Sequence, residues 1–222
     1  MRFVKAHGAG NDFVLVPDFE DRLGLTSAMV RAVCAAHVGL GADGLIRLAP
    51  ARPGGRADVF MDYWNADGSV AEMCGNGVRC VAKYVVDRGL VGGTVVRVDT
   101  RHGVKVAECR RGPDGRVERA RVDMGPPVPG KVNHEVEVEG GALRVTSLSM
   151  GNPHAVVLVE DVATTPVARW GPQLERQADF LPEGTNVEFV MVPARDRIVG
   201  RIWERGVGET LGSGTGAAAM AA

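Results

Sequence analysis

Cys74-Gly75-Asn76-Gly77 returns 139 residues later (213 − 74) as Ser213-Gly214-Thr215-Gly216, and this recurrence decides how the chain is built. Working outward from it, more of each half repeats. Val59-Phe60-Met61-Asp62-Tyr63-Trp64-Asn65 is answered by Ile198-Val199-Gly200-Arg201-Ile202-Trp203-Glu204. Gly10-Asn11-Asp12-Phe13-Val14 is answered by Gly151-Asn152-Pro153-His154-Ala155. Asn65 stands nine residues before Cys74 (74 − 65), and Glu204 stands nine before Ser213 (213 − 204). Asn11 to Cys74 is 63 residues and Asn152 to Ser213 is 61. Each half therefore has a Gly-Asn turn before a strand, a strand ending in Trp-polar, and a Gly-rich loop that delivers a nucleophile-type residue to a helix N-terminus. A plainer reading is duplication without a shared site. Against it, the polar residues repeat together with the apolar frame.

The rest of the chain fits an α+β protein of two pseudo-symmetric domains. Valine-rich runs bounded by Gly, Pro, Asn or Asp predict strands at 13–16, 45–48, 59–63, 95–98, 104–107, 117–122, 143–148, 155–159, 187–192 and 198–203. A helix is expected from Ser27, as N-cap, to His37, and another from Gly75 to Asp87 with Gly89 just beyond its end. Gly125-Pro126-Pro127-Val128-Pro129-Gly130 reads as the linker, dividing the chain into 1–123 and 124–222. Gly214 to Ala222 reads as a helix barely begun, so the second domain is expected to be incomplete at its C-terminal side.

Composition sets bounds on function. The 222 residues carry 26 basic and 27 acidic side chains, a net charge of −1, which recruits neither nucleic acid nor an anionic membrane. No apolar run approaches the roughly 20 residues of a bilayer span, and Met1–His7 lacks the apolar core of a signal peptide. Four cysteines without a CxxC pair argue against zinc and for free thiols in the cytoplasm. Cys34 and Cys109 read as packing residues, and Cys80 as a neighbour of the site without a part in it.

A residue just ahead of a helix meets unpaired N–H groups and the positive end of the helix dipole. For a thiol this lowers the pKa from about 8.5 and makes a thiolate available near neutrality. The same N–H groups hold a carboxylate. Two such helix starts acting on one amino acid can take an α-proton from one face and return one to the other, with backbone donors stabilising the carbanion.

His7-Gly8-Ala9-Gly10-Asn11-Asp12-Phe13, Asn65-Ala66-Asp67-Gly68-Ser69, Met73-Cys74-Gly75-Asn76-Gly77-Val78-Arg79-Cys80, Met150-Gly151-Asn152-Pro153-His154, Gly184-Thr185-Asn186-Val187-Glu188-Phe189 and Glu204-Arg205-Gly206-Val207-Gly208-Glu209-Thr210 resemble, in order, the motif series of the diaminopimelate epimerases. The resemblance implies two domains, each a barrel-like, mostly antiparallel sheet around a central helix, with the active site in the cleft between them. It implies conversion of LL- to meso-diaminopimelate on the route to lysine and peptidoglycan, without cofactor or metal, and it leaves a homodimer open. Carried over by motif position, Cys74 resembles one catalytic thiol, and His154 and Glu204 resemble groups that tune the thiols. Asn11, Asn65, Asn152, Asn186 and Arg205 resemble the residues that fix the far end of the substrate. Glu204 would also meet the amine at the reacting end, while Gly75, Asn76, Gly214 and Thr215 would hold its carboxylate through backbone N–H groups.

The pattern breaks at Ser213, where the family's second thiol should stand. A helix dipole contributes about 0.3–1 kcal/mol, less than one pKa unit at about 1.36 kcal/mol each, so it cannot make a serine alkoxide near neutrality. Ser213 is an engineered replacement, a natural one-base variant, or the mark of a nearly inactive epimerase, and two-base turnover is expected to be impaired. Three rivals remain: a proline or hydroxyproline racemase or dehydratase, a single-base isomerase of the phenazine-biosynthesis type, and a non-catalytic amino-acid-binding protein. The Trp-Asn-Ala-Asp-Gly and Trp-Glu-Arg-Gly segments favour a substrate with a second charged end, and Cys74 counts against the single-base isomerase.

Overall fold

The computed structural model describes residues 2–180, 182 and 184–222. The chain forms two compact units, Met1–Asp123 and Met124–Ala222.

The first unit runs β1 (Val4–Gly8), β2 (Asn11–Pro17), α1 (Ser27–Cys34), β3 (Gly44–Ala49), β4 (Val59–Asn65), α2 (Gly75–Asp87), β5 (Val95–Thr100), β6 (Gly103–Arg111) and β7 (Val117–Val122). Its seven strands pair in sequence order. The β2–β3 and β4–β5 pairs are parallel because α1 and α2 carry the chain across between them; the other four are antiparallel. Val78, Val81, Ala82, Val85 and Val86 line the buried face of α2 at helical spacing and meet Phe13, Leu15, Ile46, Leu48, Met61, Val96 and Val98. The helix touches both marginal strands, β1 and β7, as well as β5 and β6, so the sheet curls round it. The alternate residues Val14, Val16 and Leu45 face the other way, onto Val30 and Cys34 of α1. Burial on both faces is why β2 and β3 read as continuous apolar runs.

The second unit follows the same plan: β8 (Val128–Pro129), β9 (His134–Val138), β10 (Gly141–Ser149), β11 (Pro153–Leu158), α3 (Val167–Glu175), β12 (Asn186–Ala194), β13 (Arg197–Glu204), β14 (Gly208–Thr210) and α4 (Gly214–Ala221). The sheet order is β14-β13-β12-β11-β10-β8, with β9 also on β10. Only β11–β12 is parallel, joined across α3 as β2–β3 is across α1. Ala155, Val157, Val187 and Phe189 pack towards α3, while α4 lies against β11, β12 and β13.

Three local expectations are corrected. Thr26, not Ser27, caps α1: its Oγ1 accepts the Met29 N–H at 3.3 Å. That helix stops at Cys34 rather than His37, which has a φ of +67° that a helix cannot continue through. The Pro-rich linker is not wholly irregular, because Val128 and Pro129 pair with Ser149 and Leu148. Helix α3 was not foreseen, since Gly171-Pro172 in its middle reads as a break. Gly171 is there for contact: a Cβ would lie 2.6 Å from the Trp203 ring.

Candidate active site

Both repeated loops fold alike. Cys74 (φ −144°, ψ 118°) and Ser213 (φ −122°, ψ 134°) are extended residues at the N-cap positions of α2 and α4. The first helical bonds are Val78 N–H to Cys74 O and Ala217 N–H to Ser213 O, both 2.9 Å, so the N–H groups of residues 75–77 and 214–216 precede each ladder. Glycine at the third helical position lets side chains of the sheet approach closely in both. A Cβ on Gly77 would lie 2.9 Å from Ile46 Cδ1, and one on Gly216 would lie 2.9 Å from Glu188 Oε1 and 3.0 Å from Ile202 Cδ1.

In the first unit the residues expected at the site gather at one end of the sheet. Cys74 is half-buried, and its Sγ lies 3.6 Å from Asn11 Oδ1 at the start of β2. Asp43 Oδ2 accepts from both Asn11 Nδ2 and the Asp12 N–H at 2.9 Å, fixing the amide so that its carbonyl oxygen faces the sulfur. Asn65 pairs in register with Gly44, next to Asp43, and donates to Ser69 Oγ at 3.0 Å. Asn76 is buried, its Oδ1 accepting from Arg79. Cys80 faces the core, where burial pushes its thiol up to about 12. Burial likewise raises Cys34 and Cys109.

The second unit differs in chemistry under its helix start. His154 and Glu188 are fully buried, with Nδ1 and Oε1 2.7 Å apart. Their counterparts in the first half, 141 and 142 residues earlier (154 − 13, 188 − 46), are Phe13 and Ile46. His154 Nε2 lies 3.0 Å from Asn152 Oδ1, and Asn152 Nδ2 donates to Thr215 Oγ1 at 3.4 Å. Thr215 Oγ1 lies 3.2 Å from Ser213 Oγ, which also accepts the Gly216 N–H at 3.2 Å. Burial raises the Glu188 carboxyl above its usual range; the His154 bond opposes this, and Glu204 adds to it. Glu204 accepts from Thr210 Oγ1 at 2.6 Å, and Asn186 spans Pro153 O and the Arg205 N–H, each at 3.0 Å. The Arg205 side chain is exposed.

The sequence reading gave no role to Asp43, Glu188 or the Thr215 hydroxyl. Glu188 carried a signal: it is a carboxylate inside the apolar run Val187–Val192, where the other half has Ile46.

Solved structures of this two-unit fold cover most of the chain. A phenazine biosynthesis protein of the PhzF family from Bacillus anthracis matches with a TM-score of 0.72 at 17% identity, over 100% of this chain and 79% of that one. A probable proline racemase from Agrobacterium radiobacter matches at 0.71 and 19%, over 94% and 72%. These likenesses define a class by fold alone, the one shared by racemases, epimerases and PhzF-type proteins. The particular family is set by sequence. The diaminopimelate epimerase model matches residues 3–129 and 146–222. A diaminopimelate epimerase of Pelotomaculum thermopropionicum is 46% identical and one of Acetivibrio thermocellus 44%, each over 99% of this chain and 81% of the relative. The chain belongs to the diaminopimelate epimerase family.

Proposed function

We propose that this chain is an isomerase that interconverts LL- and meso-diaminopimelate by moving a proton at the α-carbon, with Cys74 serving one face and Ser213 the other. The observation that carries the reading is the pair of like-built helix starts, each with an extended cap residue and N–H groups ahead of the helical ladder. In this reading Gly75, Asn76, Gly214 and Thr215 hold the reacting carboxylate, and Glu204 meets the amine. Asn11, Asn65, Asn152, Asn186 and Arg205 fix the distal end. Units 1–123 and 124–222 are two epimerase-type halves of one enzyme. The four free cysteines suit a reducing compartment, so we assign the activity to the cytoplasm.

Serine and cysteine are not equivalent here. A thiolate removes an α-proton, and a serine hydroxyl near neutrality does not. The reverse step is different: an α-carbanion is a far stronger base than an alkoxide, so a serine O–H can deliver a proton to it. Inversion is therefore expected to be slow, while proton exchange at the Cys74 face persists.

The test is incubation of each diaminopimelate isomer in D₂O. One isomer should take up deuterium faster than it inverts. Ser213→Cys should raise inversion by roughly 10²–10⁴-fold, the range of a positioned acid–base group. Absence of exchange with any isomer, or no response to Ser213→Cys, would overturn the proposal.

A further inference from the structure

The two helix starts share a backbone but differ in what lies beneath them, and the difference is a continuous line of polar groups. Five side chains, Glu188, His154, Asn152, Thr215 and Ser213, are linked by four contacts of 2.7, 3.0, 3.4 and 3.2 Å. Such a line can run in either of two directions. If Glu188 accepts from the Nδ1–H of a neutral imidazole, the Asn152 amide must turn round, and the Ser213 proton is spent on Thr215. If His154 Nε2 donates to Asn152, each later group donates onward, and the Ser213 oxygen accepts from Thr215 instead of donating to it.

The geometry selects the second. Asn152 presents Oδ1 to the imidazole and Nδ2 to Thr215. Glu188 Oε2 is buried and meets no hydrogen-bond donor among the described residues. An ionised carboxylate with one bare buried oxygen is costly, whereas a protonated one satisfies the pair by donating from Oε1 to Nδ1.

We infer that Glu188 is a positioning residue, the buried end of a directed hydrogen-bond line that turns the Ser213 hydroxyl proton outward, towards the substrate. This rests on the diaminopimelate reading for its substrate but not for its wiring. The Ser213 oxygen accepts from Thr215 O–H and from the Gly216 N–H, and its own proton is left over for the carbanion. When that proton moves to carbon, the same two donors stabilise the oxyanion until water reprotonates it. Cys74 keeps the abstracted α-proton and loses it to solvent, so the cycle balances without any other reagent.

Two measurements decide it. In ¹⁵N-histidine NMR at neutral pH, His154 should carry a proton on Nε2; a bare Nε2 with the proton on Nδ1 alone would overturn the inference. In D₂O, Glu188→Ile should slow inversion about tenfold while leaving deuterium uptake at the Cys74 face unchanged. Glu188→Gln, which still presents an N–H to Nδ1, should retain most of the inversion. Equal loss of both rates, or equal behaviour of the Gln and Ile variants, would show a merely structural role. If the unmodified chain neither exchanges nor inverts diaminopimelate, the substrate reading fails, and the NMR result alone judges the wiring.

Discussion

Replacing His154 by Phe and Glu188 by Ile would rebuild, in the second unit, the apolar pair that the first unit uses at Phe13 and Ile46. The single changes and the double change should differ sharply. Both side chains are fully buried and bonded at 2.7 Å. His154→Phe leaves a buried neutral carboxyl with no partner on either oxygen, costing about 1–3 kcal/mol. Glu188→Ile strands a neutral imidazole nitrogen, costing about 1–3 kcal/mol. The double variant removes both needs and should lie within about 1 kcal/mol of the parent, since well-packed apolar replacements of buried polar pairs are often neutral. The coupling, double minus the two singles, is then about −4 kcal/mol at the midpoints of these ranges. For the 99-residue unit (222 − 124 + 1), a loss of about 3 kcal/mol corresponds to a fall of roughly 12–24 °C in its Tm. Calorimetry on the four proteins reads this directly. If the double variant is as unstable as the sum of the singles, the pair is not the self-contained unit described here.

The pH response of Glu188 has a fixed sign. Burial raises its folded-state pKa, so its contribution to stability is fully present below the usual glutamate range and is lost as pH rises through the raised value. Denaturant titrations should therefore show the parent gaining on Glu188→Gln as pH falls from 8 to 5, and a gain in the other direction would contradict the burial argument. Alkylation followed by mass spectrometry should mark Cys74 first. With its thiol near 12, Cys80 is about one part in 10⁴ thiolate at pH 8, so modification of Cys80 ahead of Cys74 would contradict its placement. Asp43→Ala releases the Asn11 amide and should slow deuterium uptake at the Cys74 face about tenfold, equivalent to about 1.4 kcal/mol; unchanged uptake would show that Asn11 is held without it. Gly171→Ala places a methyl 2.6 Å from the Trp203 ring and should cost about 1–3 kcal/mol, whereas Gly92→Ala, with nothing within 4 Å, should be nearly neutral by the same thermal measurement.

Much of this was legible in the chain because the repeat carries both frame and chemistry. Val78, Val81, Val85 and Gly89 announce α2 by spacing and stop signal, and the valine runs announce the inner strands. What escaped depends on contacts distant in sequence. α3 is stabilised by Trp203 against its own Gly-Pro pair, so local propensity argues for the wrong answer there. The short strands β8 and β14 exist only because longer neighbours offer them hydrogen bonds. At the site, position in a motif singled out Cys74, Asn11 and His154 as candidates, but not what holds them. Asp43 acts on Asn11 from 32 residues away, and Glu188 acts on His154 from 34 away, spacings at which no local pattern operates.

The replacement of Phe13 and Ile46 by His154 and Glu188 has a consequence for engineering. Beneath Cys74 the helix start rests on hydrocarbon, and its sulfur meets the Asn11 amide that Asp43 holds. Beneath Ser213 the corresponding floor is ionisable and linked to the hydroxyl. Under the mechanism proposed above, the deprotonating and reprotonating chemistries have separate controls, located in different halves of the gene, and a library built on either half would retune one without disturbing the residues that govern the other.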